Sequence, residues 1–228
     1  ALKNASVIVH AIPLQSTEQF LEDVINHIPR LGEIVFVSTS KGIETETLEL
    51  PCHLLERVLY RQKEKSRRRR NVKLAYLSGP TFAVELMQGL PTGIVAASEN
   101  EALARRVQSL YGSSCLRVNT STDVVGVEMS GALKNVWAIA AGMVEGLELG
   151  NNAMAALVAQ GCAEIRWLGG KLGAKSETLA GLSGTGDIML TCFVNLSRNR
   201  TVGLRLGSGE TLEEILGSMN QVAEGVAT

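Results

Sequence analysis

Two β-branched apolar runs, SVIVHAI at 6–12 and EIVFVSTS at 33–40, bracket a stretch in which Phe20, Leu21, Val24, Ile25 and Ile28 recur at helical spacing. The runs suit buried parallel strands, and the intervening period suits a helix that starts at Ser16 or Thr17 and stops before Pro29. The opening is thus a βαβ unit. Further strands are predicted at 72–77, 92–97 and 115–118, alternating with helices near 44–59, 81–88 and 100–110. From Ser121 the pattern changes: strands vanish, and helical runs rich in Ala, Leu and Gly follow at about 123–147, 151–172, 187–194, 198–206 and 211–217. The expectation is an α/β domain over 1–120 and an all-helical domain over 121–228.

Composition narrows the function classes. A chain of 228 residues with 45% hydrophobic content supports a sizeable core. A formal charge of −1 and 4% aromatics point away from nucleic acid as a partner. No apolar run reaches the roughly 18 residues of a membrane span. Cys52, Cys115, Cys162 and Cys192 form no CxxC pair, and His10, His27 and His53 have no metal-ligand spacing, so no metal site and a reduced compartment are expected. RQKEKSRRRR at 61–70 carries seven basic residues against one acidic, without interleaved aromatics, and reads as a solvated loop between a helix and a strand.

SGALKNVWAIAAG at 130–142 reads as a buried helix, which makes Lys134 conspicuous. Taken alone, such a lysine usually extends its ammonium to water. Four polar stretches stand at predicted strand ends or helix starts: STSKGIE (38–44), SGPTFA (78–83), SGTGDIMLTC (183–192) and LSRNRTVG (196–203). Ligands collect at such places in open α/β folds, and helix starts attract anions, so Lys41 with Ser197, Arg198 and Asn199 forms a candidate phosphate clamp. Each element also has a plain structural reading: Gly79 and Pro80 as a turn, Asp187 as a helix cap, SRNR as a solvated helix start, Cys192 beside Thr191 as a small packer, and His10 as a structural residue at a strand end.

In this order and at these intervals, VGVEMSGALKNVWAIAAG, LSGPTFAVEL, GLSGTGDIMLTC, LSRNRTVG and QVAEGVAT resemble NAD(P)-dependent glycerol-3-phosphate dehydrogenase, with NLSRNRTVGLRLGSGETL most similar to the plastid enzymes of plants and algae. The resemblance covers essentially the whole chain apart from the basic run. It implies a Rossmann-type domain followed by a helical one. The implied reaction interconverts dihydroxyacetone phosphate and sn-glycerol 3-phosphate with NAD or NADP as cofactor, feeding glycerolipid synthesis. It further implies a homodimer without nucleic-acid partners, in the plastid or else the cytoplasm. Lys134 matches the family's catalytic lysine. Lys41, Gly79, Thr81, Asp187, Ser197, Arg198 and Asn199 match substrate-binding positions. Lys41, Ala83, Arg198, Val222 and Glu224 match cofactor-binding positions. Burial and a second cation both depress a lysine pKa, which would bring Lys134 toward the working pH, while an ionised Asp187 would temper the shift.

The sequence departs from the family pattern in having no glycine-rich GxGxxG turn to receive a pyrophosphate. The expectation is therefore that the first βα unit, about 60 residues of a typical Rossmann half, is missing, that the chain is truncated at both ends, and that it binds NAD(P) weakly and turns over little. Two other readings stay open: a phosphosugar-binding module of the same fold, and a 3-hydroxyacid dehydrogenase relative. The latter group places an asparagine four residues after its lysine, where this chain has Ala138, its own asparagine being Asn135.

Overall fold

A computed structural model describes residues 2–28, 33–61, 71–219 and 222–228. Beyond Arg61, the basic run lies outside the described residues. Five strands form one sheet in sequence order: β1 (Val7–His10), β2 (Glu33–Ser38), β3 (Asn71–Ser78), β4 (Thr92–Ala97) and β5 (Leu116–Ser121). β1, β2 and β3 run parallel, β4 is antiparallel to β3, and β5 is parallel to β4. Strand alternation divides the core between two faces. Ile34 and Phe36 face α1 (Thr17–Val24), α2 (Pro51–Arg61) and the start of α5 (Val124–Gly146), whereas Val35 and Val37 face α4 (Glu101–Tyr111). This is the Rossmann-like α/β arrangement, and among the described residues helices alone follow it.

Several predicted bounds shift for local reasons. Thr17 is inside α1 rather than at its cap, and the Ser16 side chain makes no capping bond. The helix expected from 44 begins only at Pro51, whose missing N–H suits a first helical position. Before it the Glu44 carboxylate gathers the amides of Glu46 and Thr47, and Leu48 takes a positive φ of 58°, which holds that stretch in a turn. The stretch expected helical over 81–88 is only α3 (Ala83–Met87). β5 extends to Ser121 because it stays paired with β4 as far as Ala97.

The helical half is organised on α5. Its N-cap Asp123 accepts the Gly126 amide at 2.9 Å and, with its other oxygen, the Lys175 amide at 2.8 Å. α6 (Gly150–Lys171) packs along it, followed by α7 (Ser176–Leu179), a wide π-type turn over Leu182–Gly186, α8 (Asp187–Phe193), α9 (Arg198–Gly207) and α10 (Leu212–Ser218). α7 and the wide turn were not foreseen from periodicity. The tightest packing is α5 on α9. A Cβ on Gly142 would lie 2.1 Å from the Arg200 carbonyl oxygen, and one on Gly203 would lie 1.9 Å from that of Ile139. Only glycine permits that approach. Because Gly146 meets Leu204 and Gly207 one turn further on, the two helices run the same way, and the start of α9 arrives about one turn past Lys134, where Gly225 meets both the Asn135 carbonyl and Asn199.

Candidate active site

Lys134 lies near the middle of α5, in a helix buried on nearly every side, and is 8% exposed. Its amine does not reach to water. It donates to Asp187 Oδ1 at 2.7 Å and to Thr191 Oγ1 at 3.1 Å. The Thr191 hydroxyl proton goes to the Asp187 carbonyl at 2.6 Å, one helical turn back, so its lone pair is free to receive the lysine. Lys41, in the loop after β2, donates to the other Asp187 oxygen, Oδ2, at 2.8 Å and to the Gly79 carbonyl at 3.2 Å. Each ammonium carries three donors, so each keeps one proton uncommitted.

The charges on this trio are unequal, two cations against one carboxylate. Burial works to raise the Asp187 pKa, but Lys41 and then Lys134 outweigh it and hold the carboxyl below its usual range. Lys134 takes the opposite balance: burial first and the Lys41 charge second lower its pKa to about 8, against the pull of Asp187. The site therefore holds an ionised acid and an amine poised near neutrality.

Gly79, at the end of β3, has φ of 143°, and a Cβ there would lie 3.0 Å from the Ile94 Cα. The close approach that makes glycine necessary is thus to strand β4, and it leaves the Gly79 carbonyl aimed at Lys41. Thr81 and Ala83 follow on the rim of a cavity of about 580 Å³, which Lys41, Lys134 and Asp187 line from the other sides.

Ser197 caps α9 by accepting the Arg200 amide at 3.3 Å, so the amides of Arg198 and Asn199 ahead of it have no intrahelical acceptor. Asn199 Oδ1 accepts the Gly225 amide at 2.9 Å, which fixes the side-chain amide with its NH2 group left over. Ser197, Arg198 and Asn199 all line the same cavity as Lys134. The corner is held from behind by Arg200, a residue that sequence reading passed over in favour of its neighbours. The Arg200 guanidinium donates to the Cys192 carbonyl at 2.7 Å, to Asn195 Oδ1 and to the Glu145 carboxylate. The spacing SRNR, with a second arginine one helical position past the capping pair, was the available signal. Cys192 is fully buried, and burial raises its thiol to about 12, as suits a packing residue.

A second cavity of about 340 Å³ adjoins the first. Its walls are Ala11–Pro13 and Thr39–Ser40 on the sheet side, with Arg198, Val222 and Glu224 opposite. Ala11, Thr39, Arg198 and Glu224 border both cavities. Burial raises the Glu224 pKa, opposed by Arg198, Lys41 and Lys134. Lys41, Thr81, Ala83, Lys134, Asp187, Ser197, Arg198, Asn199, Val222 and Glu224 therefore line one cleft between the sheet ends and α5, α8 and α9, and Gly79 stands behind it with its carbonyl on Lys41. Asn135 joins them beside Lys134, whereas Ala138 sits fully buried in the core. Among the described residues, no group of His, Cys, Asp and Glu is placed to hold a metal ion, and no single helix is long and apolar enough to cross a membrane.

Comparison with known proteins gives matches at both ends of this cleft. The family model for the N-terminus of NAD-dependent glycerol-3-phosphate dehydrogenase matches residues 1–104, and that for its C-terminus matches 123–228. The chain is 57% identical over its whole length to glycerol-3-phosphate dehydrogenase [NAD(+)] 2, chloroplastic, of Arabidopsis thaliana, and spans 52% of that protein, about half its length. It is 45% identical to glycerol-3-phosphate dehydrogenase [NAD(P)+] of Geobacter sulfurreducens, of which it spans 67%. The crystal structure of glycerol-3-phosphate dehydrogenase from Coxiella burnetii superposes with a TM-score of 0.89 at 32% identity, over 99% of this chain and 65% of the other. This chain belongs to the NAD-dependent glycerol-3-phosphate dehydrogenase family.

Proposed function

We propose that the cleft is the substrate and nicotinamide end of a dehydrogenase site that interconverts dihydroxyacetone phosphate and sn-glycerol 3-phosphate. The observation that carries this reading is the buried Lys134 amine, held by Asp187 beside Lys41 and opening onto the same cavity as the Ser197–Asn199 corner. In the reductive direction Lys134 gives its uncommitted proton to the carbonyl oxygen, and in the oxidative direction the neutral amine takes the hydroxyl proton. Asp187 fixes the line of that proton, and Lys41 adds positive charge where negative charge develops on oxygen. Arg198, the two unpaired amides of α9 and the Asn199 NH2 group suit a phosphate dianion.

The second cavity fits the nicotinamide end of NAD(P), since it is flanked by the Ala11–Pro13 and Thr39–Ser40 backbone and reaches the carbonyl site through shared walls. Ala83, Val222 and Glu224 border the two cavities and would hold the cofactor with Arg198 and Lys41. When bound, NAD(P)H supplies the hydride at C2. We further assign residues 1–120 and 121–228 as cofactor and substrate domains, and the plastid as the compartment, the latter on the names of plant relatives.

The test is NADH oxidation by this chain with dihydroxyacetone phosphate, paired with calorimetric binding of sn-glycerol 3-phosphate. Turnover that disappears in Lys134→Ala supports the reading. Binding of the phosphosugar without turnover leaves a phosphosugar-binding module, and no binding of either compound overturns the proposal.

A further inference from the structure

His10 ends β1 and is 4% exposed, beneath the junction of the two cavities. Its ring meets three hydroxyls. Nδ1 lies 3.1 Å from Ser40 Oγ and 3.3 Å from Ser38 Oγ, and Nε2 lies 3.2 Å from Thr17 Oγ1. Phe36 packs on the ring with centroids 5.7 Å apart. Proton accounting fixes the tautomer. Ser40 spends its only proton on the Ile12 carbonyl at 2.6 Å, so its oxygen receives a proton from Nδ1–H. With the ring neutral, Nε2 is then the acceptor, and the Thr17 hydroxyl shares its one proton between Nε2 at 3.2 Å and the Pro13 carbonyl at 3.3 Å. Burial keeps this ring neutral by lowering its pKa to about 4.

The polarity of this chain of bonds matters because of what it joins. It runs from the His10 ring to Ser40, on the wall that leads directly into Lys41, and on to Ile12, on the adjoining stretch of the same sheet-side wall. Thr39, between them, is tied to the His10 carbonyl through both its amide, at 2.9 Å, and its hydroxyl, at 3.1 Å. The Lys41 side chain is anchored at its far end by Asp187 and Gly79, which leaves its base to the Thr39–Lys41 backbone.

We propose that His10 is a positioning residue for the site: acting through Ser40, its ring locks the Thr39–Lys41 segment against Ala11–Pro13, setting both the base of Lys41 and the width of the second cavity. This rests on the dehydrogenase reading for its catalytic consequence, but not for its structural one.

Amide hydrogen exchange on the unliganded full chain separates the two. In His10→Val the amides of Thr39–Gly42 should exchange about tenfold faster, as for the loss of one hydrogen bond, with β4 and β5 unchanged. His10→Asn, which keeps a donor near the Nδ1 position, should restore most of the protection. Ser40→Ala should reproduce the valine effect, and the double variant should add nothing to it. In turnover, His10→Val should raise KM for dihydroxyacetone phosphate and NADH more than it lowers kcat, with rescue by asparagine. Unchanged exchange at Thr39–Gly42, or equal acceleration throughout the sheet, would overturn the proposal. If the wild-type chain binds neither compound, the dehydrogenase reading fails while the exchange result still decides the role of His10.

Discussion

Two carboxylates are buried to nearly the same depth in this molecule and end in opposite ionisation states. Asp187, 1% exposed, faces two ammoniums and is held ionised. Glu128, 6% exposed and less than two turns before Lys134 on α5, receives the Cys52 amide at the start of α2 at 2.8 Å, with the Cys52 thiol beside it. Its other oxygen has no partner among the described residues, and burial raises its pKa to about 8. Depth alone does not make a reactive group. What separates the two regions is that Asp187 gathers chains from both halves of the fold around one charge, whereas Glu128 ties α5 to α2 and leaves its charge unanswered.

The comparison breaks most readily at Lys134. Replacing it with alanine removes the general acid and should cost at least about 100-fold in NADH-dependent reduction of dihydroxyacetone phosphate, while Lys41 still neutralises Asp187 and the fold survives. Asp187→Asn should come next. The two ammoniums would then meet without an anion, so Lys134 should lose its proton well below pH 8, which NMR of lysine labelled at Cε would register. In the wild type, with the Lys134 pKa at about 8, reductive kcat/KM should fall as pH rises through that value and oxidative kcat/KM should rise, the ammonium serving one direction and the amine the other. Arg198→Ala should raise KM for the phosphosugar about tenfold, the worth of one charge-assisted hydrogen bond, with a smaller change in kcat. The smallest effect is expected at Glu128. A carboxyl whose folded pKa stands above its unfolded one stabilises the fold fully at low pH and loses that contribution as pH rises through about 8. Glu128→Gln should therefore flatten the fall in Tm between pH 5 and 8 without altering turnover, and an equal Tm gain at both pH values would refute the assignment.

The parts of the fold set by periodicity were legible in sequence. Alternating and apolar runs located the strands, and long small-residue runs located α5 and α6, because burial on one face or all faces writes itself into spacing. The 44–50 turn was not legible, since it depends on Glu44 folding back on its own amides and competes with a good helical pattern. The wide turn before Asp187 was equally hidden, because its form answers to contacts with Leu179 that lie outside local spacing. At the site, Lys134, Lys41 and Asp187 were found through motif resemblance, and their shared hydrogen bonds followed only from the packing of α8 against α5. Thr191, Arg200 and His10 act by holding other groups. Residues of that kind leave little mark on a sequence, because the partners that matter stand far along the chain, Lys134 57 positions from Thr191 and Ser40 30 from His10.

The glycine crossing of α5 and α9 has a consequence for how this family can vary. Neither Gly142 nor Gly203 touches the cleft, yet their backbone contact acts as a gauge block that sets the span from amine to anion clamp. A single methyl group added at either position would collide with the facing backbone and part the two helices that carry Lys134 and Arg198.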